Sequence, residues 1–297
     1  MLAAAGSSGQ AWGMTNTELN LGGDLTIKRL GFGAMRLPAG TFSGPARDPE
    51  SGKAVLRRAM ELGVNHVDTA GFYRRDDVAA NDLIRAALHP YAADLVIATK
   101  VGPIRDNRGV PSTEATPQQL RGLVRDDLRE LGLDRLDLVY LRVGGMGAPG
   151  GASIGERFAA LAELQREGLV RHLGVSNVDT AQLAEARAIA PVAAVQNRFH
   201  VTERNDAAVL AECERAGIAF VPFFPLGGGG NAIDEGRVEK VAARHGATVA
   251  QVALAWMLVS SPVMVAIPGT GSLDHLEENM AAARLRLTAE DLAELQG

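Results

Sequence analysis

An acid, a phenol and an ammonium stand at spacings that let them share one site. Asp68 closes the short apolar run Asn65-His66-Val67-Asp68; Thr69, Ala70 and Gly71 follow, and Tyr73 arrives five positions after the acid. A second apolar run, Leu95 to Thr99, ends on Lys100. Each reads as a buried strand releasing its polar groups at its C-terminal end, which is where barrel and open-sheet enzymes do chemistry. An acid after a strand also serves as a helix cap. The lysine shifts the balance, because an ammonium at the end of an apolar strand needs an anionic or hydrogen-bonding partner.

Such residues need a scaffold, and the rest of the chain supplies its rhythm. Around Gly22-Gly23-Asp24, the stretch Leu19 to Ile27 alternates and predicts a small hairpin. The run Leu30 to Met35 is glycine-rich; Gly31 and Gly33 permit close approach of a ligand or of neighbouring sheet. From Glu50 onward, helices over 52–62, 78–88, 117–131, 154–167, 180–188, 206–216, 235–245 and 249–259 alternate with apolar runs at Val64, Leu95, Leu136, Val170, Val192, Ile218 and Val263. Thr116-Pro117 supplies a cap and a first-turn proline, and Gly63, Gly132, Gly168 and Gly217 read as C-caps.

With Leu30 counted, eight apolar strands separated by helices predict a parallel sheet covered by helices. No composition break marks a linker, so the expected fold is α/β, a (β/α)8 TIM barrel with an N-terminal β-hairpin. Residues 17–297 are expected to form this single domain, with 1–16 as a flexible N-terminal extension. A doubly wound sheet would need a glycine fingerprint between an early strand and its helix. Gly31-Phe32-Gly33 has no helix directly after it, and the glycines of 144–155 and 227–230 lack the spacing and read as loops.

Composition narrows the function classes. The 297 residues are 46% hydrophobic and 22% charged, as in an ordinary globular protein, and with aromatics at 4% the packing leans on Ala, Leu and Val. A net charge of -5 gives no electrostatic reason to expect nucleic acid. A single cysteine, Cys213, precludes an intrachain disulfide and reads as a buried structural thiol. No apolar stretch has the length of a membrane span, and residues 1–14 lack the basic and apolar regions of a secretory signal, so a cytoplasmic protein is expected. The strand ends then offer Asp68 with Tyr73, Lys100, Arg142, Ser176 with Asn177, Gln196, Phe223, and Gly269-Thr270-Gly271-Ser272. The six histidines form no zinc-protease motif, and neither Ser176 nor Ser272 lies in a nucleophile elbow.

Six motifs in order, Asp68-Thr69-Ala70-x-x-Tyr73, Ala98-Thr99-Lys100, Gly174-Val175-Ser176-Asn177, Val195-Gln196-Asn197, Phe224-Pro225-Leu226-Gly227 and Ile267-Pro268-Gly269 with Leu276-x-Glu278-Asn279, resemble the aldo-keto reductase superfamily. The resemblance runs from the hairpin near Leu19 to the end of the chain. It implies a (β/α)8 barrel, an extended nicotinamide cofactor and reduction of a small-molecule carbonyl substrate. Asp68, Tyr73 and Lys100 fall in three of the family's four catalytic positions. Gly33 belongs to the cofactor set; Ser176, Asn177 and Gln196 fall where the family holds the carboxamide, and Phe223 where a ring stacks on the nicotinamide. Leu226 and Gly227 would line the cofactor's central section. Gly269, Thr270, Ser272, His275, Glu278 and Asn279 would grip its adenosine end. The residue types suit the chemistry: Tyr73 would protonate the oxygen as hydride reaches the carbon, Lys100 would favour the phenolate, and Asp68 would hold the lysine charged.

Departures from the pattern narrow the reading. Where the family usually has a histidine after the fourth strand, this chain has Arg142, whose fork binds a carbonyl oxygen or a neighbouring anion without shuttling a proton. That feature, with Pro222-Phe223-Phe224-Pro225-Leu226-Gly227, resembles a bacterial subgroup that includes pyridoxal reductases, and pyridoxal, with its aldehyde beside a phenolic oxygen, becomes a candidate substrate alongside other hydroxy-aldehydes or ketones. His275 stands where many relatives carry an arginine for the 2′-phosphate of NADPH; with Thr270, Gly271 and Ser272 still offering donors, NADPH remains the expected cofactor. Arg74-Arg75-Asp76-Asp77 reads as solvated charges at a helix start. Barrels of this family also serve as cofactor-binding regulatory or sensor subunits, against which an intact Asp68, Tyr73 and Lys100 set argues.

Overall fold

Seven parallel strands are hydrogen-bonded side by side in chain order: β1 (Phe32–Gly33), β2 (His66–Asp68), β3 (Val96–Val101), β4 (Leu136–Arg142), β5 (Val170–Ser176), β6 (Val192–Gln196) and β7 (Ala219–Phe220). The computed structural model describes residues 11–12, 16–41, 44–105, 111–145, 147–228, 233 and 235–296. The eighth run joins as single parallel bridges, Phe220 with Met264 and Leu30 with Ala266, which close the sheet into a barrel. Backbone bonds from the Val265 N–H to the Phe220 carbonyl and from the Ala266 N–H to the Arg29 carbonyl hold the run on both sides.

Helices α1 (Pro49–Glu61), α2 (Ala80–Leu88), α3 (Pro117–Leu131), α4 (Gly155–Arg166), α5 (Thr180–Ile189), α6 (Ala207–Ala216), α7 (Glu235–His245) and α8 (Val249–Ser260) form the outer layer, followed by α9 (Leu273–Ala281) and α10 (Ala289–Gln296). Their ends follow local chemistry. Asp48 caps α1 ahead of Pro49, and capping boxes at Thr116/Gln119, Asp179/Gln182 and Thr248/Gln251 open α3, α5 and α8. Gly132 and Gly217 end α3 and α6 in the left-handed region, with φ of 69° and 65°.

One large apolar cluster fills the space between sheet and helices, including Phe32, Phe158, Phe220 and buried Cys213. A second occupies the barrel interior. There Leu21 and Ile27 of the hairpin (Glu18–Leu21 with Leu25–Lys28) pack against Val96, Leu138, Tyr140 and Val265. Asp24 at the hairpin tip holds Arg171 and His172 near the start of β5. The hairpin therefore plugs the N-terminal end of the barrel and leaves the C-terminal strand ends for the site.

Two local expectations change. Arg74–Arg75 pair antiparallel with Val78–Ala79, and Asp76 turns between them at φ 49°. The charged run is thus a tight hairpin, and α2 begins only at Ala80. Ala11–Trp12 pair with Leu287–Thr288, while residues 1–10 and 13–15 of the expected extension lie outside the described residues.

Candidate active site

Strand register brings the acid and the ammonium together. Asp68 pairs opposite Ala98 on the adjacent β3, so Lys100 extends past it and turns back. Its Nζ donates to Asp68 Oδ1 at 2.5 Å and to the Thr69 carbonyl at 3.0 Å, while Gln196 Nε2 on β6 donates to Asp68 Oδ2 at 2.8 Å. Asp68 is 2% exposed and Lys100 4%. Tyr73 follows on a turn closed by its own N–H on the Ala70 carbonyl. Its half-buried ring centroid lies 4.8 Å from Lys100 Nζ.

Charge states follow from this geometry. Burial, the largest influence on Lys100, favours the neutral amine, but Asp68 and Tyr73 outweigh it and hold the ammonium above its usual range. Burial pushes the Tyr73 phenol up, Lys100 pulls it down and Asp68 adds to the rise. Lys100 therefore does favour the phenolate, yet the net shift is upward, because desolvation exceeds one neighbouring charge. At neutral pH Tyr73 is a phenol, the form that donates a proton.

Arg142 ends β4 beside this group and is 8% exposed. Its Nη1 donates to Ser176 Oγ at 3.3 Å and its Nη2 to the Gly145 carbonyl at 2.5 Å. The guanidinium lies 4.7 Å from the centroid of the Phe223 ring. Burial brings its titration down to about 10, and Tyr73 opposes that fall. Among the described residues no carboxylate pairs with Arg142. Ser176 is thus engaged by Arg142, and Asn177, at φ 62°, donates from Nδ2 to the Val143 carbonyl at 3.1 Å.

A cleft of about 210 Å³ opens above these groups, lined by Gly33, Arg36, Asp68, Tyr73, Gln196, Phe223, Phe224, Leu226 and Gly269 among others. Gly33 and Gly269 pack backbone to backbone; a Cβ on Gly269 would meet the Gly33 carbonyl at 2.5 Å. At Gly33 the close approach is therefore first of all between strand ends, although the residue also faces the cleft. Gly227 turns at φ 79° and donates its N–H to the Phe224 carbonyl. Thr270 Oγ1 accepts from the Ser272 N–H, and Ser272 Oγ caps α9 by accepting from the His275 N–H. His275 is exposed on the first turn of α9. Asn279 is buried, and the Glu278 carboxylate accepts from Thr248 Oγ1 at 2.5 Å.

Strand-end reasoning overlooked two arginines of the loop after β1. Arg36 lines the cleft and donates to the Gly40 carbonyl at 3.0 Å. Arg47 packs directly over Gly271: a Cβ there would lie 2.8 Å from the guanidinium carbon. Burial lowers the Arg36 titration, and the charge of Arg47 lowers it further, so the two cations sense each other. No motif announces them, since a lone arginine before a helix cap reads as solvated.

A sequence profile described as the Aldo/keto reductase family matches residues 29–297. Pyridoxine 4-dehydrogenase of Escherichia coli (strain K12) is 46% identical over 277 residues, covering 93% of this chain and 96% of that protein. A thermostable aldo-keto reductase solved with the inhibitor epalrestat is similar in structure at a TM-score of 0.79 and 28% identity, over 94% of this chain and 98% of that one. An aldo-keto reductase from Klebsiella pneumoniae solved in complex with NADPH gives a TM-score of 0.76 at 26% identity, over 95% of this chain and 94% of that one.

Proposed function

This chain belongs to the aldo/keto reductase family, and on that premise we propose that residues 17–297 act as one domain that reduces pyridoxal, or another aldehyde with an adjacent anionic oxygen, at the expense of NADPH. The reaction class, carbonyl reduction by an NADPH-dependent oxidoreductase, goes with the family; the substrate is the inference. One observation carries it. A buried arginine, held by Ser176 and the Gly145 carbonyl and free of carboxylate partners among the described residues, stands beside a phenol and an ammonium. Pyridoxine 4-dehydrogenase is named for the reverse direction, alcohol to aldehyde, on the same vitamin skeleton.

The residues present fit the cofactor. Among the described residues Gln196 Oε1 is fully buried without a hydrogen-bond partner, an acceptor suited to a carboxamide N–H, on a side chain that lines the cleft. Phe223 and Leu226 add apolar wall, and Arg36 and Arg47 put positive charge beside Gly269 to Ser272, where phosphates need it. NADPH, when bound, supplies the hydride. Gln196, Ser176 and Asn177 would orient its carboxamide, while Arg36, Arg47, Thr270 and Ser272 would hold phosphate oxygens, with His275, Glu278 and Asn279 at the adenosine end.

Tyr73 transfers its phenolic proton to the substrate oxygen as negative charge develops there. Lys100 stabilises the phenolate that remains, and Asp68, itself held by Gln196, keeps Lys100 charged and aimed. Arg142 uses its remaining N–H groups to bind the carbonyl oxygen and the neighbouring oxyanion together. The test is a panel of aldehydes and ketones, pyridoxal included, assayed with NADPH and with NADH. A kcat/KM for pyridoxal no better than for benzaldehyde would remove the substrate assignment, and bound NADPH that no carbonyl oxidises would remove the enzyme assignment.

A further inference from the structure

A second buried polar cluster lies on the helix side of the strands that carry Asp68 and Lys100. Successive side chains on a strand point to opposite faces. Thr69 follows Asp68 and Thr99 precedes Lys100, so with the charged pair directed into the barrel the two threonines face the helices. Both are fully buried. Thr69 Oγ1 donates to Asn81 Oδ1 on α2 at 2.8 Å, and Thr99 Oγ1 donates to Asp127 Oδ2 on α3 at 2.7 Å. Asn81 Nδ2 closes the circuit on Asp127 Oδ1 at 3.1 Å and also reaches Glu130 Oε2 at 3.1 Å. Gly71, midway between Asp68 and Tyr73, rests on the same carboxylate: a Cβ there would lie 2.5 Å from Asp127 Oδ1.

The polarity of this circuit runs one way. Thr99 and Asn81 both donate to Asp127, and Asn81 can turn its amide N–H groups toward α3 because Thr69 occupies its carbonyl. As a carboxylate Asp127 accepts from both at once, on Oδ2 from Thr99 and on Oδ1 from Asn81; a proton on Oδ2 would turn the Thr99 hydroxyl from donor to acceptor and break this one-way polarity. We infer that Asp127 is a positioning residue: as a carboxylate it fixes Thr99 directly and Thr69 through Asn81, and so sets the orientation of Lys100 and of the loop that carries Tyr73. This deepens the reading of the same site as a carbonyl reductase and rests on it for its catalytic consequence.

Burial, opposed by the bond from Thr99 and that from Asn81, and reinforced by the charges of Glu130 and Asp126, brings Asp127 up to about 7. Those two acids share its helix. From the turn after Tyr73, Arg74 pairs with Glu130 at 2.9 Å; α2 presents neutral Asn81, its Arg85 being bonded to the Arg129 carbonyl; β3 presents neutral Thr99. The positioning form therefore predominates above about pH 7. Folding has the opposite preference. Because the native value lies above the unfolded one of 3.8, the contribution of Asp127 to stability is full below that value and is lost as pH rises through about 7.

The chain has only three tyrosines, Tyr73, Tyr91 and Tyr140, so labelling tyrosine Cζ with carbon-13 gives a spectrum in which Tyr73→Phe assigns the signal of interest. In the full-length protein the Tyr73 signal is expected to move with an inflection near pH 7, to lose it in Asp127→Asn and Thr99→Val, and to regain it in Thr99→Ser. Turnover should follow: kcat of Asp127→Asn about tenfold below wild type at pH 8, within the 10² that an ångström of misplacement costs, and close to wild type at pH 6, with NADPH affinity unchanged. Thermal melts of each variant confirm that the comparison is between folded proteins, and the threonine pair carries the test if Asp127→Asn fails to fold. An inflection that persists in Asp127→Asn or in Thr99→Val, its absence from wild type, or a kcat ratio constant from pH 6 to 8 would overturn the inference. The Tyr73 signal behaving as described in a protein that reduces no carbonyl would uphold the positioning role and discard the reaction.

Discussion

Replacing Lys100 by methionine separates what the ammonium does for stability from what it does for chemistry. Lys100 and Asp68 are 4% and 3% exposed at their side chains and lie 2.5 Å apart. Removing one partner of a buried pair leaves an uncompensated charge, which costs about 3–5 kcal/mol. The lower end applies, because Gln196 still donates to Asp68 Oδ2 at 2.8 Å and the carboxyl can take up a proton. A loss of about 3 kcal/mol corresponds to roughly 6 °C in Tm for a chain of this size. Lys100→Met combined with Asp68→Asn removes the orphaned charge while keeping an oxygen for Gln196, so about half of that loss should return. Turnover should be absent in both variants, since neither stabilises a phenolate. The deficit of the single variant should also shrink as pH falls, because a lone buried carboxyl protonates readily in the native state. Melting curves at pH 5 and pH 8 beside single-turnover NADPH oxidation make the measurement. A double variant no more stable than Lys100→Met would refute the idea that an unpaired Asp68 is the source of the loss.

Tyr73→Phe should retain NADPH affinity and lose about 10² or more in kcat, the contribution of a positioned acid; stopped-flow rates near wild type would end its assignment as proton donor. Arg142→Met should lower kcat/KM by about 10² or more, the scale of one lost oxyanion donor. Arg142→His, which supplies a single donor, should lose more on pyridoxal than on benzaldehyde, and parallel losses on the two would eliminate the anion-binding role. Arg47→Ala should weaken NADPH binding about tenfold, in line with a hydrogen bond to a charged group. Fluorescence titration with both reduced cofactors locates the effect: a loss for NADPH alone assigns Arg47 to the 2′-phosphate, an equal loss for NADH assigns it to the pyrophosphate, and no loss for either would remove it from the cofactor site.

Local rules made the scaffold and much of the site legible in the sequence. Left-handed glycines after α3 and α6, the proline and capping box at the start of α3, and apolar runs covered on both faces are instructions carried by a few adjacent residues. They yield the alternation from which a barrel follows. Because a parallel barrel gathers the C-terminal ends of its strands on one rim, Asp68, Tyr73, Lys100, Arg142 and Gln196 could be nominated together despite their distance along the chain. Turn chemistry was the local failure. Val78 and Ala79 carry a helix-like pattern, but a two-residue hairpin with Asp76 at positive φ delays α2 to Ala80.

What only the tertiary structure decided depends on how much water is removed and on which distant side chains converge. The sign of the Tyr73 shift is a contest between desolvation and the Lys100 charge, and burial of a particular ring is not a property of its neighbours in sequence. The placement of Arg142 against Phe223 joins β4 to the loop after β7, and that of Arg47 over Gly271 joins the loop after β1 to the start of α9. Asp127 reads in sequence as one more acid in a charged helix, beside Asp126 and before Glu130. Folded, it is the acceptor on which Thr99 and Asn81 converge, because the alternation of strand side chains sends the catalytic residues into the barrel and the threonines next to them toward the helices.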